Sequence, residues 1–570
     1  MVFYRLAFKP AIGLYGQHDP SAALFEDGQL VYAIEEERLS RRKHAVGAFP
    51  RNAIQACLDY RDLSLSDLDD IVLPYDPSLQ WKILPHYLET ALSADNWLKR
   101  FVFLGDTIVT QVRGQMYPTR QIENKLASIG TPVPPISTQP HHACHAASAF
   151  HPSEFEEALV LTIDAKGEYD ATTVWHGTPD GLERIRTYPH PNSLGLFFAV
   201  VTEYLGFRMF NGEGKVMGLA PYGRPNRTIE SALRDVIETG ADYDVTDLTN
   251  QWGTDAGVEQ LESIFDRPRR KTSGAFTQWE KDLALTAQSL LEETVVDLVE
   301  TYCRKIGTNN VALAGGVVLN CKMNQQIINL DIVDDVFIQP VANDAGLALG
   351  AGWLDQSPSA VDQMSTTYFG PSYTTSTIKQ RLEANKIEYT EPDQLERTIA
   401  QRLAEGSLVG WFQGRLEMGP RALGNRSILA DPRTADSRDR VNEHVKHREG
   451  WRPFAPSLLE TASTEYLGTE QSSPFMITTS TVPSERTDEL KAVLHPADET
   501  TRPQTVNDDQ NPRYAKLLRE FEKITGVPVL LNTSFNDHGE PIVTTPQEAI
   551  KDFYGMGLDY LVLEDVVVKK

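Results

Sequence analysis

Short apolar runs separated by turn residues open the chain, and this pattern predicts paired β-strands. One run covers residues 11–16, and two more cover 21–25 and 29–34. Asp27 and Gly28 join the last two runs, and an Asp-Gly pair between apolar runs favours a β-hairpin. We therefore expect the chain to begin with strands, two of them joined by a tight turn.

Farther along, apolar runs of strand length alternate with segments of helical spacing. Leu and Val recur every three or four positions in residues 280–306, which predicts a helix with one apolar face. The predicted strands cover 158–163, 172–175, 311–314 and 336–340, and helices are predicted at 317–328 and 345–354. Strands that alternate with helices predict an α/β fold.

A polar, turn-rich segment at residues 356–372 is the candidate linker. After it, residues 395–405 have helical spacing and 408–412 form a strand-like run. We predict two domains, 1–355 and 373–570, with the helical and aromatic residues 75–130 as a cap or insertion. No internal repeat is visible in the sequence.

Composition narrows the class of protein. The 570 residues are 41% hydrophobic, enough for packed globular domains. No stretch approaches the roughly 18 apolar residues that span a bilayer, and the N-terminus has no apolar run typical of a signal peptide. The four cysteines show no CxxC spacing, which disfavours a disulfide framework and a zinc ribbon. We expect a soluble, cytoplasmic protein.

The net charge is strongly negative. Acidic residues outnumber basic ones by 79 to 54, a formal charge of −25. Non-specific nucleic-acid binding requires a basic face, so we exclude it. The surplus of carboxylates indicates either an ordinary solvated surface or adaptation to a high-salt cytoplasm.

His141 and His145 stand four positions apart in the segment PHHACHAASA. In a helix, positions i and i+4 share a face, so both imidazoles can converge on one ion. Imidazoles suit iron, zinc and related divalent metals. Asp164 and Asp344, each at the end of a predicted strand or the start of a helix, are the carboxylates expected to complete the site. His142 points elsewhere on a helix and is predicted to be structural.

Two glycine-rich segments are candidate nucleotide-binding loops. Residues 315–320 lie between a predicted strand and a predicted helix, where backbone N–H groups can face a phosphate. Residues 212–218 (GEGKVMG) form the second segment, with Lys215 as its cation. Tight packing of glycines is the alternative in both. The basic residues 40–44 indicate either a solvated face or a phosphate contact.

Fixed positive charge gathers in the second predicted domain. Nine Lys and Arg residues, against six Asp and Glu residues, lie between Arg415 and Arg452. Arg421 lies within GPRALGNRS, while Arg452 and Arg502 each precede a proline that stiffens the chain. Arginine forks match phosphate oxygens, so several rigid arginines predict a triphosphate or two phosphorylated ligands. Residues 531–536 (LNTSFN) add amides and hydroxyls at the end of an apolar run.

Taken together, these motifs resemble the NodU/TobZ-type O-carbamoyltransferases over nearly the whole chain. The blocks that carry the resemblance are EEERLSRRKH, HHACHAAS, IDAKGE, GEGKVMGLA, LAGGVVLN, PVANDAG, MGPRALGNRS, WRPFAPS, TRPQTV and LNTSFNDHGEP. The resemblance implies an actin-like ATPase (ASKHA) first domain, similar to the threonylcarbamoyl transferases, and a YrdC-like second domain. The family often has Asp-Gly where this chain has Asp164-Ala165, which changes backbone freedom beside the candidate ligand.

The resemblance also implies an activity. The second domain would convert ATP and carbamoyl phosphate into carbamoyl adenylate, and the first domain would transfer the carbamoyl group to an acceptor hydroxyl at a metal site. The implied metal, iron or another divalent ion, would be held by His141, His145, Asp164 and Asp344. The implied contacts of ATP (with Mg²⁺) and carbamoyl phosphate are Arg421, Arg452, Arg502, Asn532 and Ser534. The implied adenylate site of the first domain is lined by Lys43, Gly316 and Asn320.

The acceptor hydroxyl needs a base, and His18 is the candidate because an imidazole titrates near neutral pH. Expected partners are ATP, carbamoyl phosphate and a small hydroxylated acceptor such as a sugar, without nucleic acid or membrane. A homodimer is compatible with this interpretation. The alternatives are a tRNA threonylcarbamoyl-type transferase and a nucleotide-binding regulator without catalysis.

Overall fold

The computed structural model describes residues 2–12, 18–93, 97, 101, 105, 119–250, 254–271, 274–448 and 450–570. Their contacts divide the chain into two compact units. Unit 1 comprises Met1–Glu36 and His44–Met364, and unit 2 comprises Glu37–Lys43 and Ser365–Lys570. Residues 37–43 therefore group with the second half of the chain, and the candidate linker 356–372 is divided between the units. The domain limits 1–355 and 373–570 stay predictions.

The described residues of unit 1 form two five-stranded sheets. Its strands are β1 (Tyr4–Lys9), β2 (Ser21–Glu26), β3 (Gln29–Glu35), β4 (Asp70–Leu73), β5 (Ile136–Thr138), β6 (Ala158–Ile163), β7 (Asp170–Thr178), β8 (Gly181–Pro189), β9 (Asn310–Ala314) and β10 (Asp335–Ile338). The helices in this part of the chain are α1 (Glu36–Ser40), α2 (Arg51–Asp59), α3 (Leu84–Ser93), α4 (Arg120–Ala127), α5 (His141–Phe150), α6 (Leu194–Tyr204), α7 (Glu213–Leu219), α8 (Arg227–Arg234), α9 (Thr246–Thr249), α10 (Asp255–Phe265), α11 (Gln278–Ile306), α12 (Cys321–Ile328) and α13 (Leu347–Trp353).

The two sheets repeat one topology. The first has the order β3-β2-β1-β4-β5 and the second has the order β8-β7-β6-β9-β10. In each sheet, the first three strands along the chain form an antiparallel meander. The fourth strand pairs in parallel with the first, and the fifth pairs in parallel with the fourth. A pair of such sheets is the arrangement of actin-like ATPases, so the fold expected for the first domain is confirmed. The repeat is one of topology, and the sequence showed none.

Helix α5 lies at the centre of unit 1, because all ten of its residues are buried. Its small side chains let other elements approach closely, and it packs on β6, β9 and α13. Gly350 of α13 marks the closest approach: a Cβ there would lie 1.8 Å from the carbonyl oxygen of Cys144. Small residues on both helices thus bring their backbones into contact.

The elements with the clearest sequence patterns form as predicted. The hairpin of β2 and β3, helix α5, strands β6 and β7, and helix α11 all form as expected. The first strand is different: it covers Tyr4–Lys9, whereas the predicted run began at residue 11, and residues 13–16 lie outside the described residues. Helices α3 and α4 lie within residues 75–130, and much of the rest of this span lies outside the described residues.

Two predictions of helix and loop were wrong. Residues 213–219 form helix α7, with Gly212 as its N-cap, instead of a glycine-rich loop. The helix predicted over 317–328 is interrupted at Asn320, which ends a 3₁₀ turn and caps α12. Asn320 accepts a hydrogen bond from the Met323 N–H at 3.1 Å, so the helix begins at Cys321.

Unit 2 is a mixed seven-stranded sheet with helices packed on it. Its strands are β11 (Val409–Phe412), β12 (Arg426–Ala430), β13 (Ala455–Leu459), β16 (Gln504–Val506), β17 (Val529–Ser534), β18 (Tyr560–Leu563) and β19 (Val566–Lys569), and β14 (Ser480–Thr481) pairs separately with β15 (Thr500–Thr501). The helices are α14 (Thr375–Ala384), α15 (Leu395–Ala404), α16 (Ala435–Val441), α17 (Ser463–Leu467), α18 (Pro512–Thr525) and α19 (Pro546–Gly555).

The sheet order in unit 2 is β16-β13-β17-β12-β11-β18-β19. Helix α18 packs against β13, β17 and α15, while α19 packs against β11 and β18. The predicted helix at 395–405 and strand at 408–412 are confirmed as α15 and β11. Both units are α/β, as expected. Within the described part of the chain, no helix combines the length and the hydrophobicity needed to cross a lipid bilayer.

Candidate active site

A buried carboxylate fixes the first turn of α5, where His141 stands. Glu168 accepts the His141 backbone N–H at 3.0 Å and the Asp76 N–H at 2.6 Å. A carboxylate at a helix N-terminus satisfies an otherwise unpaired N–H and interacts favourably with the helix dipole. Burial raises the pKa of Glu168, but these backbone donors oppose that rise. The first turn, and with it the His141 side chain, is thereby held in place.

Four candidate ligands converge at the N-terminal part of α5. The Nε2 atom of His141 lies 3.1 Å from Asp164 Oδ2 and 3.8 Å from Asp344 Oδ1. The Nε2 atom of His145 lies 3.7 and 3.9 Å from the same two oxygens. One ligand atom from each residue thus falls within 4.8 Å of all the others. The structure brings together the four residues named from the sequence, although Asp344 is 180 positions beyond Asp164.

Strand ends place the two carboxylates. Asp164 directly follows β6, and its Oδ1 accepts the Gly316 N–H at 3.3 Å from the turn after β9. Asp344 follows β10 and lies 2.9 Å from the buried ammonium of Lys9 on β1. Burial opposes ionisation of both, but the two histidines hold the pKa of Asp164 well below its usual range, and Lys9 lowers that of Asp344. Both therefore remain carboxylates.

The histidines of α5 differ in how their nitrogens are satisfied. His142 hydrogen-bonds Thr162 Oγ1 at 2.7 Å and the Asp170 carbonyl at 3.0 Å, so its structural role is as expected. His145 is fully buried, and among the described residues neither of its ring nitrogens has a hydrogen-bond partner. Buried polar atoms without partners are costly. Two imidazoles and two carboxylates fit a divalent ion such as iron, zinc or manganese, which would satisfy His145.

His18 lies beside this cluster. Its Nδ1 is 3.0 Å from Asp19 Oδ2, and its backbone carbonyl accepts a hydrogen bond from Lys9, the residue that pairs with Asp344. Burial opposes a charge on His18, but the hydrogen bond to Asp19 and the charge of Asp344 raise its pKa. The exposed ring of Phe210 stacks on the imidazole at a centroid separation of 5.5 Å.

Gly316 and Asn320, two of the residues implied for the adenylate site, both make hydrogen bonds within unit 1. Gly316 holds Asp164 through its N–H, as described above. Asn320 caps α12 and forms a reciprocal pair with Gln288: its Nδ2 donates at 2.9 Å, and its Oδ1 accepts at 3.0 Å. Both hydrogen-bonding ends of its amide are therefore engaged, and its implied place in an adenylate site stays a prediction.

In unit 2, Asn532 and Ser534 are alternate residues of β17, so their side chains share one face of the sheet. Asn532 Nδ2 donates to Ser457 Oγ at 2.9 Å, to the Ala422 carbonyl at 3.2 Å and to Gln504 Oε1 at 3.2 Å. The segments that carry Arg421 and Arg502 therefore meet at Asn532. Its Oδ1 is buried and has no hydrogen-bond partner in the part of the chain that the structure describes.

Lys446 is a candidate functional residue that was not anticipated. It ends a short π-helix, Asn442–Lys446, and its ammonium is 2.6 Å from the Ser534 carbonyl, 3.3 Å from Ser534 Oγ and 3.0 Å from Asn536 Oδ1. Burial, together with the charges of Arg448, Lys43 and Arg452, lowers its pKa well below the usual lysine value, against the opposing charge of Asp552. Several cations thus act on one buried lysine, an arrangement that favours an anionic ligand.

The other basic residues of unit 2 separate into two groups. Most of those in 415–452 bind carbonyls or carboxylates of their own unit, and the fully buried Arg426 donates to the carbonyls of Gln413, Asn425, Pro371 and Gly414. Arg421, Arg452 and Arg502 are half-buried. The Nε atom of Arg502 is buried, and no described residue forms a hydrogen bond with it.

The basic segment 40–44 does not act as one group. Arg41 donates to the carbonyls of Ile542 and Pro541 at 2.7 and 2.8 Å and lies 3.4 Å from Glu540, so it fastens the segment to unit 2. The phosphate contact considered from the sequence stays a prediction for Arg41, whose guanidinium is engaged by these groups. Lys43 groups with unit 2, and its charge acts on Lys446. Its implied place in the adenylate site of the first domain stays a prediction.

Three residues at these sites were not predicted, because their signals in the sequence are weak. Lys9 is a cation at the end of an apolar strand, Glu168 ends the motif IDAKGE, and Lys446 is one of nine cations in its span. Any of these could have been noticed, but only the fold shows that each faces a site.

Two family descriptions match the chain: Carbamoyltransferase N-terminus over residues 11–353, and Carbamoyltransferase C-terminus over residues 400–570.

Curated relatives match over nearly the same length. Nodulation protein NolNO of Sinorhizobium fredii is 38% identical over 97% of this chain and 79% of the relative. An uncharacterised protein of Synechocystis is 37% identical over 97% of this chain and 95% of its own. Nodulation protein U of Bradyrhizobium diazoefficiens is 26% identical over 92% of each.

Proposed function

Because the chain belongs to the carbamoyltransferase family and is an enzyme of carbamoyl transfer, we propose that it carries out ATP-dependent O-carbamoylation in two half-reactions. In the first, unit 2 uses carbamoyl phosphate and ATP to form carbamoyl adenylate. In the second, unit 1 transfers the carbamoyl group to the hydroxyl of a small acceptor, such as a sugar or another hydroxyl-bearing metabolite.

The surroundings of Lys446 carry the proposal for unit 2. A buried lysine with lowered pKa, acted on by Lys43, Arg448 and Arg452, is stabilised when phosphate oxygens bind beside it. Carbamoyl phosphate is first hydrolysed to carbamate and phosphate. A carbamate oxygen then attacks the α-phosphorus of ATP, and pyrophosphate leaves with its charge balanced by Mg²⁺ and these cations. Ser534 and Asn532 offer a hydroxyl and a carbonyl oxygen on the same face of β17.

In unit 1, His141, His145, Asp164 and Asp344 would hold a divalent metal. When bound, such an ion supplies Lewis acidity toward negative charge on carbonyl or phosphate oxygens. His18 accepts the proton of the acceptor hydroxyl while the hydroxyl oxygen attacks the carbamoyl carbon, and AMP leaves. Lys9 holds the His18 backbone beside Asp344, so the base stays next to the metal ligands.

The test separates the two half-reactions. Pyrophosphate release from ATP is measured with and without carbamoyl phosphate, and transfer is followed by mass spectrometry of a cell extract that contains labelled carbamoyl phosphate. Lys446→Met should lower carbamoyl-phosphate-dependent pyrophosphate release by about 10²-fold or more, since it removes a buried cation from the reacting phosphates. His18→Ala should leave that release within about twofold and abolish the labelled product.

Lys551→Met is the matched control for unit 2, because Lys551 is an exposed lysine that pairs with Glu540. It should behave as the wild type. Equal loss of both half-reactions in His18→Ala would contradict the assignment of the base. Pyrophosphate release that requires threonine and bicarbonate would favour a threonylcarbamoyl transferase, and no release at all would favour a regulator.

A further inference from the structure

We infer that Asp19 is a positioning residue that fixes the ring proton of His18 on Nδ1 and leaves Nε2 as the basic atom. The inference rests on the proposed function of His18 and deepens it, because it names the atom that takes the acceptor's proton and the residue that selects it.

The contacts of the Asp19 carboxylate carry the inference. Its Oδ2 lies 3.0 Å from His18 Nδ1, and its Oδ1 lies 2.8 Å from His44 Nδ1. Asn343 Nδ2 adds a third donor, 3.3 Å from Oδ2. An ionised carboxylate can only accept hydrogen bonds. Both Nδ1 atoms must therefore carry hydrogen, and in a neutral His18 the lone pair is on Nε2.

Asp19 remains ionised in these surroundings. Burial by itself would favour the protonated acid, but hydrogen bonds from His18 and His44 hold the pKa of Asp19 well below its usual range. A protonated Asp19 could donate to one of the rings and reverse its tautomer. With the acid ionised at neutral pH, the direction of both hydrogen bonds is set.

One further contact restricts the imidazole. The Phe210 ring lies against its face with an interplanar angle of 29°, while a third of the His18 side chain stays exposed (33%). The stack limits tilting of the ring, and the carboxylate limits its rotation about χ2. Nε2 is thus the nitrogen left for an acceptor hydroxyl.

Asp19 and His18 are also linked to the metal-ligand cluster. Asn343 directly precedes Asp344, and the Lys9 ammonium joins the His18 carbonyl to Asp344. Asp19 has a left-handed backbone conformation (φ 51°), which aspartate tolerates better than most residues. This conformation brings its carboxylate between His18 and His44, so the sequence His-Asp alone does not produce the arrangement.

The experiment is nitrogen-detected tautomer analysis of the full chain with ¹⁵N-labelled histidine, at about pH 9, where imidazoles are neutral. His18 is assigned from the signal that His18→Gln removes. In the wild type, its proton should be on Nδ1 and its Nε2 should be unprotonated. In Asp19→Ala, the proton should move to Nε2, and Asp19→Asn, which keeps the shape, should reduce the Nδ1-protonated fraction.

Glu157→Ala is the matched control, because it removes a carboxylate 2.7 Å from His176 Nε2. It should leave the His18 signals unchanged. In a second measurement, Asp19→Ala should keep pyrophosphate release but lower labelled product in the small-molecule fraction of a cell extract by about 10²-fold or more. A wild-type proton on Nε2, or an unchanged tautomer in both Asp19 variants, would overturn the inference. Absent pyrophosphate release in the wild type would instead refute the proposed function and leave the tautomer result standing.

Discussion

At the scale of single residues, three histidines on one short helix have different chemistry because their neighbours differ. His142 faces Thr162 and a backbone carbonyl, which occupy both of its nitrogens. His145 faces two carboxylates at 3.7 and 3.9 Å, beyond hydrogen-bonding distance. Burial of an unsatisfied imidazole costs free energy that a bound cation would offset. The helical spacing places these side chains, and the strand ends opposite them decide their roles.

This difference predicts that His145→Ala mainly lowers the metal content, whereas His142→Ala mainly lowers the stability. His145→Ala should lower bound iron, zinc or manganese by tenfold or more in elemental analysis, because it removes one of four donors. His142→Ala should keep the metal but lower the free energy of unfolding by about 2–4 kcal/mol, since it opens a cavity and leaves two polar groups unpaired. Equal metal content in both variants would refute the assigned ligand set.

At the scale of elements, the contact of α5 with α13 holds the ligand helix against the turn that carries Asp344. The approach depends on a glycine, since a Cβ at position 350 would collide with the backbone of Cys144. Residues 344–346 form the 3₁₀ turn that leads into α13, so the same contact positions Asp344. Packing and ligand geometry are therefore set by one helix pair.

Gly350→Ala should accordingly destabilise unit 1. The added Cβ would lie 1.8 Å from the Cys144 carbonyl oxygen, so the helices must separate, at a cost of about 3 kcal/mol or more. Urea denaturation followed by circular dichroism measures this loss. Gly214→Ala is the control, because no atom of the described residues lies within 4 Å of a Cβ added to that helical glycine. It should be neutral or stabilise by up to about 1 kcal/mol. Equal stability of the two variants would contradict the close packing of α5 on α13.

At the scale of the whole molecule, the charge of −25 means that ion pairing cannot neutralise the surface. Even if each of the 54 basic residues paired with one of the 79 acidic residues, 25 carboxylates would remain. Their repulsion is screened over about 3 Å at 1 M salt but reaches about 30 Å at 0.01 M. The stability of this chain should therefore depend on salt concentration more strongly than that of a protein of balanced charge.

Dialysis from about 1 M to about 0.01 M NaCl should unfold the protein, because unscreened repulsion among carboxylates destabilises the compact state. Circular dichroism and intrinsic fluorescence before and after dialysis measure the change. Sucrose at matched osmolality controls for loss of solute, and it should not replace the salt. A spectrum that is indifferent to salt would remove the high-salt hypothesis.

Several elements of the fold and several candidate ligands could be predicted from the sequence, because their signals are local. Alternation of apolar residues determined the hairpin of β2 and β3, and the spacing of His141 and His145 determined that they share a helical face. Turn and strand signals placed Asp164 and Asp344 at strand ends. Each of these inferences depends on residues within a few positions of one another, where backbone geometry links pattern to structure.

Only the tertiary structure decided which distant residues meet. It separated Arg426, whose donors bind carbonyls, from Lys446, whose burial among cations favours an anion, although both belong to one basic stretch. It also showed that the glycine-rich segment at 212–218 belongs to helix α7 and its N-cap, and that two sheets share one topology. The reason is physical: charge, burial and hydrogen-bond satisfaction depend on neighbours contributed by other strands and helices, and sequence spacing does not encode those neighbours.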